Sequence, residues 1–338
     1  MSDISNLPNS KKIILKTRPD GDPKVSDFEM IEEVAKAPND GEVLVEVQAL
    51  EIGAWIRTTL NETAFHGSTP IGGTLPSMGI GKVLISKSDK LNEGDIISGP
   101  LMAQSYTTMP ADFFTKVSNP EIDPFTQIGV LGVTTGLTAY FGIYEVGQVK
   151  AGDIVLVSGA AGGVGVLVCQ LAKLKGAKVI GIAGGPEKCA VLVNEVGTDA
   201  AIDYKNQNID EQIKIHAPDG IDIFFDNVGG NILDLALDNL RDCARVIICG
   251  AISQYSHHDA VEGPSLYLRL AEKYARMEGF TVMHFEEHYE RASKELLDLY
   301  NQKKLNVPFH IEEGVDNFPL ALQKLFTGGN TGKLMVKI

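Results

Sequence analysis

Asp153–Gly165, DIVLVSGAAGGVG, is the stretch that decides the fold. Its apolar run, Ile154 to Val157, reads as a strand buried on both faces. The run breaks at Ser158 into a glycine-rich turn, and a helical pattern follows. Ala160-x-Gly162-x-x-Gly165 has the dinucleotide fingerprint spacing, with alanine in the first place. Strand, turn and helix together make a cradle for a pyrophosphate. Glycines let backbone N–H groups approach the phosphate oxygens, and the positive end of the helix faces the charge. Glycine turns after strands are common, so the flanking strand and helix carry the weight of the assignment.

Working outward, strands and helices alternate. Helices are expected over Gly136–Val146, from Pro186, over Asp210–His216, Ile232–Leu240, Ser265–Arg276 and His288–Gln302. Strands are expected over Lys178–Ala183, Ala200–Asp203, Ile221–Val228, Arg245–Gly250 and Phe280–His284. With the organising strand they make a doubly wound, six-stranded parallel sheet of the α/β class. Ahead of it, Ile13 to Gln127 is strand-rich and punctuated by turns at Gly72-Gly73, Asn92–Asp95 and Gly99-Pro100. Phe28–Val34 and Glu42–Val47 alternate with a period of two, which predicts an antiparallel, partly closed sheet. Lys333–Ile338 reads as a last strand returning to that sheet. The expected domains are therefore 1–127 with 303–338, and 128–302.

A chain of 338 residues suits two domains, and 44% hydrophobic with 22% charged residues is a globular composition. A net charge of −14 argues against nucleic acid or an anionic membrane as partner. The opening MSDISNLPNSKK has no apolar core, and no apolar run is long enough to span a bilayer. Cys169, Cys189, Cys243 and Cys249 show no CxxC pairing, so reduced thiols and a cytoplasmic setting are expected.

In an NAD site a carboxylate usually ends the second strand and binds the ribose hydroxyls. Here that strand ends Ala183-Gly184-Gly185-Pro186, and Lys188 follows. Loss of the carboxylate and gain of a cation favour a ribose bearing a 2′-phosphate, hence NADP(H). A catalytic zinc needs at least three converging Cys, His, Asp or Glu ligands. Before Gln127 the first domain has no cysteine and only His66, which excludes a thiolate site there. His284-Phe285-Glu286-Glu287-His288 fits the H-x-x-E-H pattern, but that pattern requires a continuous helix. A strand ending at His284 would forbid it. His257-His258 is expected in a solvated loop. No metal is expected.

The chain resembles the medium-chain dehydrogenase/reductase superfamily, and within it the zinc-free double-bond reductases of the prostaglandin reductase (leukotriene B4 dehydrogenase) and plant alkenal reductase type. The segments that carry the likeness occur in family order from about Gly129 to the C-terminus. They are Gly136–Tyr140, the Ala160–Gly165 loop, Gln170–Gly176, Ala183–Cys189, Asp203-Tyr204-Lys205, Phe225–Gly230, Cys249–Tyr255, Met277–Phe280 and Gly329–Leu334. The resemblance implies a Rossmann domain beside a GroES-like barrel, with homodimers. It implies that Gly162, Gly163, Val164 and Gly165 hold the pyrophosphate, and that Lys188 and Tyr204 hold the 2′-phosphate. It further implies that Asn227, Cys249, Gly250, Ala251, Ile252, Ser253, Tyr255, Phe280, Thr281, Val282 and Asn330 line the cofactor. The first domain matches less well. Trp55-Ile56-Arg57 stands where the family has aromatic-Met-Arg, Thr58–Gly67 departs, and Ser77-Met78-Gly79 falls about where zinc relatives carry His-Glu.

The expected activity is NADPH-dependent reduction of the carbon–carbon double bond of enals and enones. Hydride goes to the β-carbon and charge collects on the carbonyl oxygen as an enolate. Conjugation supplies the electron sink, so a Lewis-acid metal is dispensable. A donor at the oxyanion and a proton for the α-carbon are still needed. Tyr255 is the candidate for one task, and a cofactor ribose hydroxyl or water for the other. A quinone reductase of the same superfamily, or an NADPH-binding protein without turnover, are the alternatives.

Overall fold

The computed structural model describes residues 7–63, 66–256 and 260–338. Two compact units emerge. One holds the chain up to Ile128 with Phe309–Asn330 and Leu334–Ile338; the other holds Gly129–Pro308 with Thr331–Lys333. Residues 303–308, expected in the first domain, belong to the second. There the Gln170 side chain donates to the Asn306 carbonyl at 2.9 Å and accepts from its N–H at 2.6 Å.

In the second unit all six strands are parallel. They are Ile154–Val157, Lys178–Ala183, Ala200–Asp203, Ile221–Asp226, Leu240–Ile248 and Arg276–Gly279. Numbered along the chain, their order in space is 3-2-1-4-5-6. Val155, Leu156 and Val157 have no exposed surface, as their unbroken apolar run requires. Leu156, Ile180, Ile202, Phe224 and Val246 pack with Ala236 and Leu237 in one core. Each such large side chain contributes about 1.5–3 kcal/mol on burial. The order reverses between the first and fourth strands, the switch point at whose carboxyl ends open sheets of this kind form their ligand crevice.

The first unit is built on Glu42–Glu51, which pairs antiparallel with Met78–Ser86, Tyr106–Pro110 and the final strand Lys333–Lys337. Two register shifts against Met78–Ser86 add local twist and curl the sheet. Its core gathers Ile13, Leu15, Val43, Val45, Val47, Ile97 and Leu101. No helix among the described residues is long and apolar enough to cross a membrane.

One region departs from expectation. The helix expected over Ser265–Arg276 is only Leu268–Glu272, and the sixth strand is Arg276–Gly279 rather than Phe280–His284. Tyr274 takes a left-handed turn (φ 48°), which ends the helical course early and brings the strand forward. The apolar Phe280 then joins an aromatic cluster instead of the sheet, its ring 6.5 Å from Phe225 and 6.4 Å from Phe285. Val282–His288 is a 3₁₀ stretch interrupted at Phe285. The H-x-x-E-H histidines thus share no continuous α-helical face, for this reason and not because a strand ends at His284. His257 and His258 lie outside the described residues.

Candidate functional site

The cradle begins where strand Ile154–Val157 ends. Gly159 takes the left-handed region (φ 58°), and helix Gly163–Leu174 starts after Gly162 with no side-chain cap on its first amides. A Cβ on Gly165 would stand 2.3 Å from the Gly159 carbonyl oxygen, so only glycine lets helix and turn close together. Alanine is admitted in the first fingerprint place because the neighbouring strand supplies the missing room. A Cβ on Gly181 would sit 2.9 Å from that of Ala160. A short segment straps the turn: Gly332 N–H donates to the Ala161 carbonyl at 2.7 Å.

Two features test the fit of a dinucleotide here. The aliphatic stem of Lys333 lies where a Gly163 side chain would be, 2.9 Å from its would-be Cβ, with the Thr135 methyl at 3.2 Å. Thr135 is fully buried and its hydroxyl has no hydrogen-bond partner among the described residues. Uncapped amides beside an orphaned hydroxyl suit a polar, anionic group.

At the outer end, Lys178–Ala183 brings no carboxylate of its own. Asp203, ending the third strand, reaches across instead, accepting from Asn206 Nδ2 at 2.7 Å, Gly185 N–H at 2.7 Å and Lys205 N–H at 3.0 Å. The Asn206 bond, with these amides, holds its carboxyl below the usual range. Its lone pairs are therefore spent on the loop. The Tyr204 ring lies over Gly184, where a Cβ would meet the phenol oxygen at 2.8 Å. Burial, and then the like charge of Lys205, hold the Lys188 ammonium below the ordinary lysine value. Two cations close enough to repel mark a place for an anion. The sequence singled out Lys188 and Tyr204; Lys205 was missed, although it adjoins Tyr204.

At the crevice itself the site is built from the backbone. Asp226 is 1% exposed and accepts from Ser158 Oγ at 2.8 Å, Val228 N–H at 2.9 Å and Gly229 N–H at 3.0 Å. Burial outweighs these bonds and leaves its carboxyl above the usual range. Asn227 turns back, its amide donating to the Ser158 carbonyl at 2.7 Å. Cys249 and Gly250 N–H groups donate to the Asp226 carbonyl at 2.9 and 3.1 Å. Ile252 N–H donates to Asn227, and Ser253 N–H to Val228, each at 3.2 Å. The Cys249 thiol is pushed up to about 12 by burial and by Asp226, and so is an uncharged lining group.

Tyr255 closes this loop. Its hydroxyl accepts from Ala251 N–H at 3.2 Å and lies 2.9 Å from the place of a Gly250 Cβ. Burial raises its phenol above the ordinary value. The hydroxyl therefore stays protonated, and the bond it accepts leaves its own hydrogen to give away.

The structure thus gathers Gly162–Gly165, Asn227 and the Cys249–Tyr255 loop around the crevice, and Lys188 with Tyr204 at its outer end. Phe280 follows the sixth strand, its N–H 3.4 Å from the Ile248 carbonyl, with Thr281 and Val282 next in the chain. Asn330 is buried and belongs to the first unit. Ser158, Asp226 and Thr135 went unrecognised in sequence. Only the Asp226-Asn227-Val228-Gly229-Gly230 turn chemistry pointed at one of them. No group of three or more His, Cys, Asp or Glu able to hold a metal occurs among the described residues.

Residues 163–299 match the zinc-binding dehydrogenase family model, and residues 11–117 the N-terminal domain of oxidoreductase. The chain is 34% identical to the NADP(+)-dependent 2-alkenal reductase of Nicotiana tabacum, over 98% of this chain and 98% of that one. It is 35% identical to prostaglandin reductase 1 of Bos taurus, over 97% and 99%. The crystal structure of CurA from Vibrio vulnificus in complex with NADPH superposes with a TM-score of 0.91 at 31% identity, covering 97% of this chain and 98% of that one. Together with the fingerprint crevice, these likenesses show that the chain belongs to the medium-chain dehydrogenase/reductase superfamily, in the branch that includes the alkenal and prostaglandin reductases.

Proposed function

We propose that this protein is an NADPH-dependent reductase of the carbon–carbon double bond in α,β-unsaturated aldehydes and ketones. The observation that carries the proposal is Tyr255, a half-buried, protonated phenol oriented by Ala251 N–H in the loop at the crevice. When bound, NADPH supplies the hydride for the β-carbon of the acceptor. Gly162–Gly165 hold the pyrophosphate by their amides; Lys188, Tyr204 and Lys205 hold the 2′-phosphate. Asn227, Cys249, Gly250, Ala251, Ile252, Ser253, Phe280, Thr281, Val282 and Asn330 line the remainder. Tyr255 donates a hydrogen bond to the carbonyl oxygen as enolate charge develops there, and water or the cofactor's ribose hydroxyl supplies the proton that then goes to the α-carbon. Conjugation spreads that charge without a Lewis acid, so turnover is zinc-independent and survives dialysis against a chelator.

The test is a screen of NADPH oxidation over enals, enones and quinones. Steady turnover of enals and enones supports the proposal. Turnover of quinones alone would assign a quinone reductase. Tight NADPH binding with no turnover on any acceptor would make the chain a cofactor-binding protein that has lost catalysis.

The working form is proposed as a homodimer. Strand Arg276–Gly279 ends the six-stranded sheet and is exposed throughout, with Tyr274 86% and Leu268 68% exposed beside it. Arg276-Met277-Glu278 is self-complementary in antiparallel pairing about Met277, because each Arg276 then faces the other copy's Glu278. Light scattering should give twice the chain mass, and Met277→Lys should halve it.

A further inference from the structure

We propose that Asp226 is a positioning residue that ties the fingerprint strand to the Cys249–Tyr255 loop, so that the cofactor cradle and the Tyr255 hydroxyl are set as one piece. It rests on the crevice binding NADP(H), and for its kinetic readout on the double-bond reduction proposed above.

The connection runs through two sets of bonds. On the cradle side, Ser158 is fully buried and donates from Oγ to Asp226 Oδ1 at 2.8 Å. The same Oγ accepts from Asn227 N–H at 2.8 Å, and the Ser158 carbonyl accepts from Asn227 Nδ2 at 2.7 Å. On the loop side, the carboxylate receives Val228 N–H at 2.9 Å and Gly229 N–H at 3.0 and 3.1 Å. Those bonds fix the turn whose carbonyls hold the loop. Asn227 accepts from Ile252 N–H at 3.2 Å; Val228 accepts from Ser253 N–H at 3.2 Å and from Ser253 Oγ at 2.6 Å.

Tyr255 follows directly after the 3₁₀ turn Ile252–Gln254. A displacement of the Asn227 or Val228 carbonyl therefore moves the platform on which its ring stands. A carboxylate suits this place because every neighbour it meets is a donor, and an amide would turn an N–H₂ towards one of them. The residue stands at the switch between the first and fourth strands, where a dinucleotide crosses the sheet. Burying a carboxylate there is costly, and the donors aimed at it offset part of that cost.

The variants are Asp226→Asn and, should that chain fail to fold, Ser158→Ala, which removes the bridge and leaves the carboxylate with its backbone donors. Three quantities are read: amide hydrogen exchange without cofactor or acceptor, the NADPH dissociation constant by fluorescence titration, and kcat at saturation. Exchange at Cys249, Gly250, Ile252 and Ser253 should quicken by roughly tenfold or more, while strand Lys178–Ala183 keeps its protection. The kcat should fall by roughly tenfold, with the NADPH dissociation constant changing by less than about threefold, because the phosphate-holding groups lie elsewhere. Conversion of Tyr255 to Phe in the same background should cost less than it does alone. Unchanged exchange in the loop, or equal losses in affinity and kcat, would overturn the proposal. An enal-reductase reading that fails shows itself differently, as a wild-type protein without turnover, and leaves the exchange result standing.

Discussion

The two ends of the crevice solve the same problem by different physics. The outer end is made of side chains: Lys188 half-buried, Lys205 exposed, Tyr204 45% exposed over Gly184. The inner end is made of backbone amides and carbonyls ordered by Ser158 and Asp226, both buried. Side-chain charges near solvent select between ligands, are weakened by salt and can be exchanged one at a time. A backbone frame selects geometry, and changing one member moves the others. Substitutions outside should therefore separate NADPH from NADH, and substitutions inside should affect both cofactors alike.

The sharpest attempt to break this contrast is Gly165→Ala. Its Cβ would lie 2.3 Å from the Gly159 oxygen, a backbone atom that can yield only by opening the turn. Overpacking of this kind costs roughly 1–3 kcal/mol or more and falls on the cradle itself. NADPH affinity by calorimetry should drop about a hundredfold, equally for NADH, with a lower melting temperature. Affinity within threefold of wild type would show the turn to be pliable.

Tyr255→Phe comes next. It removes the hydroxyl and keeps the ring, and an oxyanion donor is worth about 2.7–4 kcal/mol in the transition state. The kcat at saturating NADPH and enal should fall roughly a hundredfold while NADPH affinity holds. If affinity falls and kcat holds, the hydroxyl serves the loop through Ala251 rather than the acceptor.

At the outer end, Lys188→Ala should weaken NADPH by roughly ten- to a hundredfold and leave NADH nearly untouched, as one charge-assisted bond of about 1.5–3 kcal/mol predicts. Lys205→Ala, being exposed, should cost only about a fewfold and lose its effect in high salt. Equal losses for both cofactors in either variant would remove the outer end from phosphate recognition.

The smallest effect lies outside both ends. Burial pushes the Asp153 carboxyl up, but hydrogen bonds from Lys150 and Arg245 outweigh it and hold it below the usual range. A depressed carboxylate stabilises the fold above its unfolded value of about 3.9, and that stability is lost as pH falls through the folded value. The melting temperature of wild type should therefore converge on that of Asp153→Asn between about pH 4 and the onset of acid unfolding, with NADPH affinity unaffected at pH 7.

The parts legible in sequence are those where a local pattern and the final packing agree. Lys178–Ala183 and Ala200–Asp203 were read to the residue because a doubly buried strand is apolar throughout. The Ala160–Gly165 spacing announced the cradle since its glycines answer a backbone constraint. Residues 265–288 misled because Tyr274 enters a left-handed turn that no glycine or asparagine marks, and Phe280 spends its apolar surface on other rings. Thr135 and Ser158 are ordinary hydroxyls until the fold brings the Gly163 helix and Asp226 beside them. Lys205 is one more surface lysine until Asp203 draws the loop around it.

The strap at Gly332 has a consequence for how the chain folds. Gly332 N–H completes the Ala161 turn, and the strand that begins one residue later, Lys333–Lys337, pairs with Glu42–Glu51. Both early-synthesised halves thus wait on the same seven residues, 331–337. The Gly332–Ala161 bond joins residues 171 apart and the Val336–Leu50 pairing residues 286 apart, and contacts so distant along the chain form slowly because a long loop must close first. The cradle turn and the antiparallel sheet should therefore be completed late in folding, after the local turns and hairpins have formed.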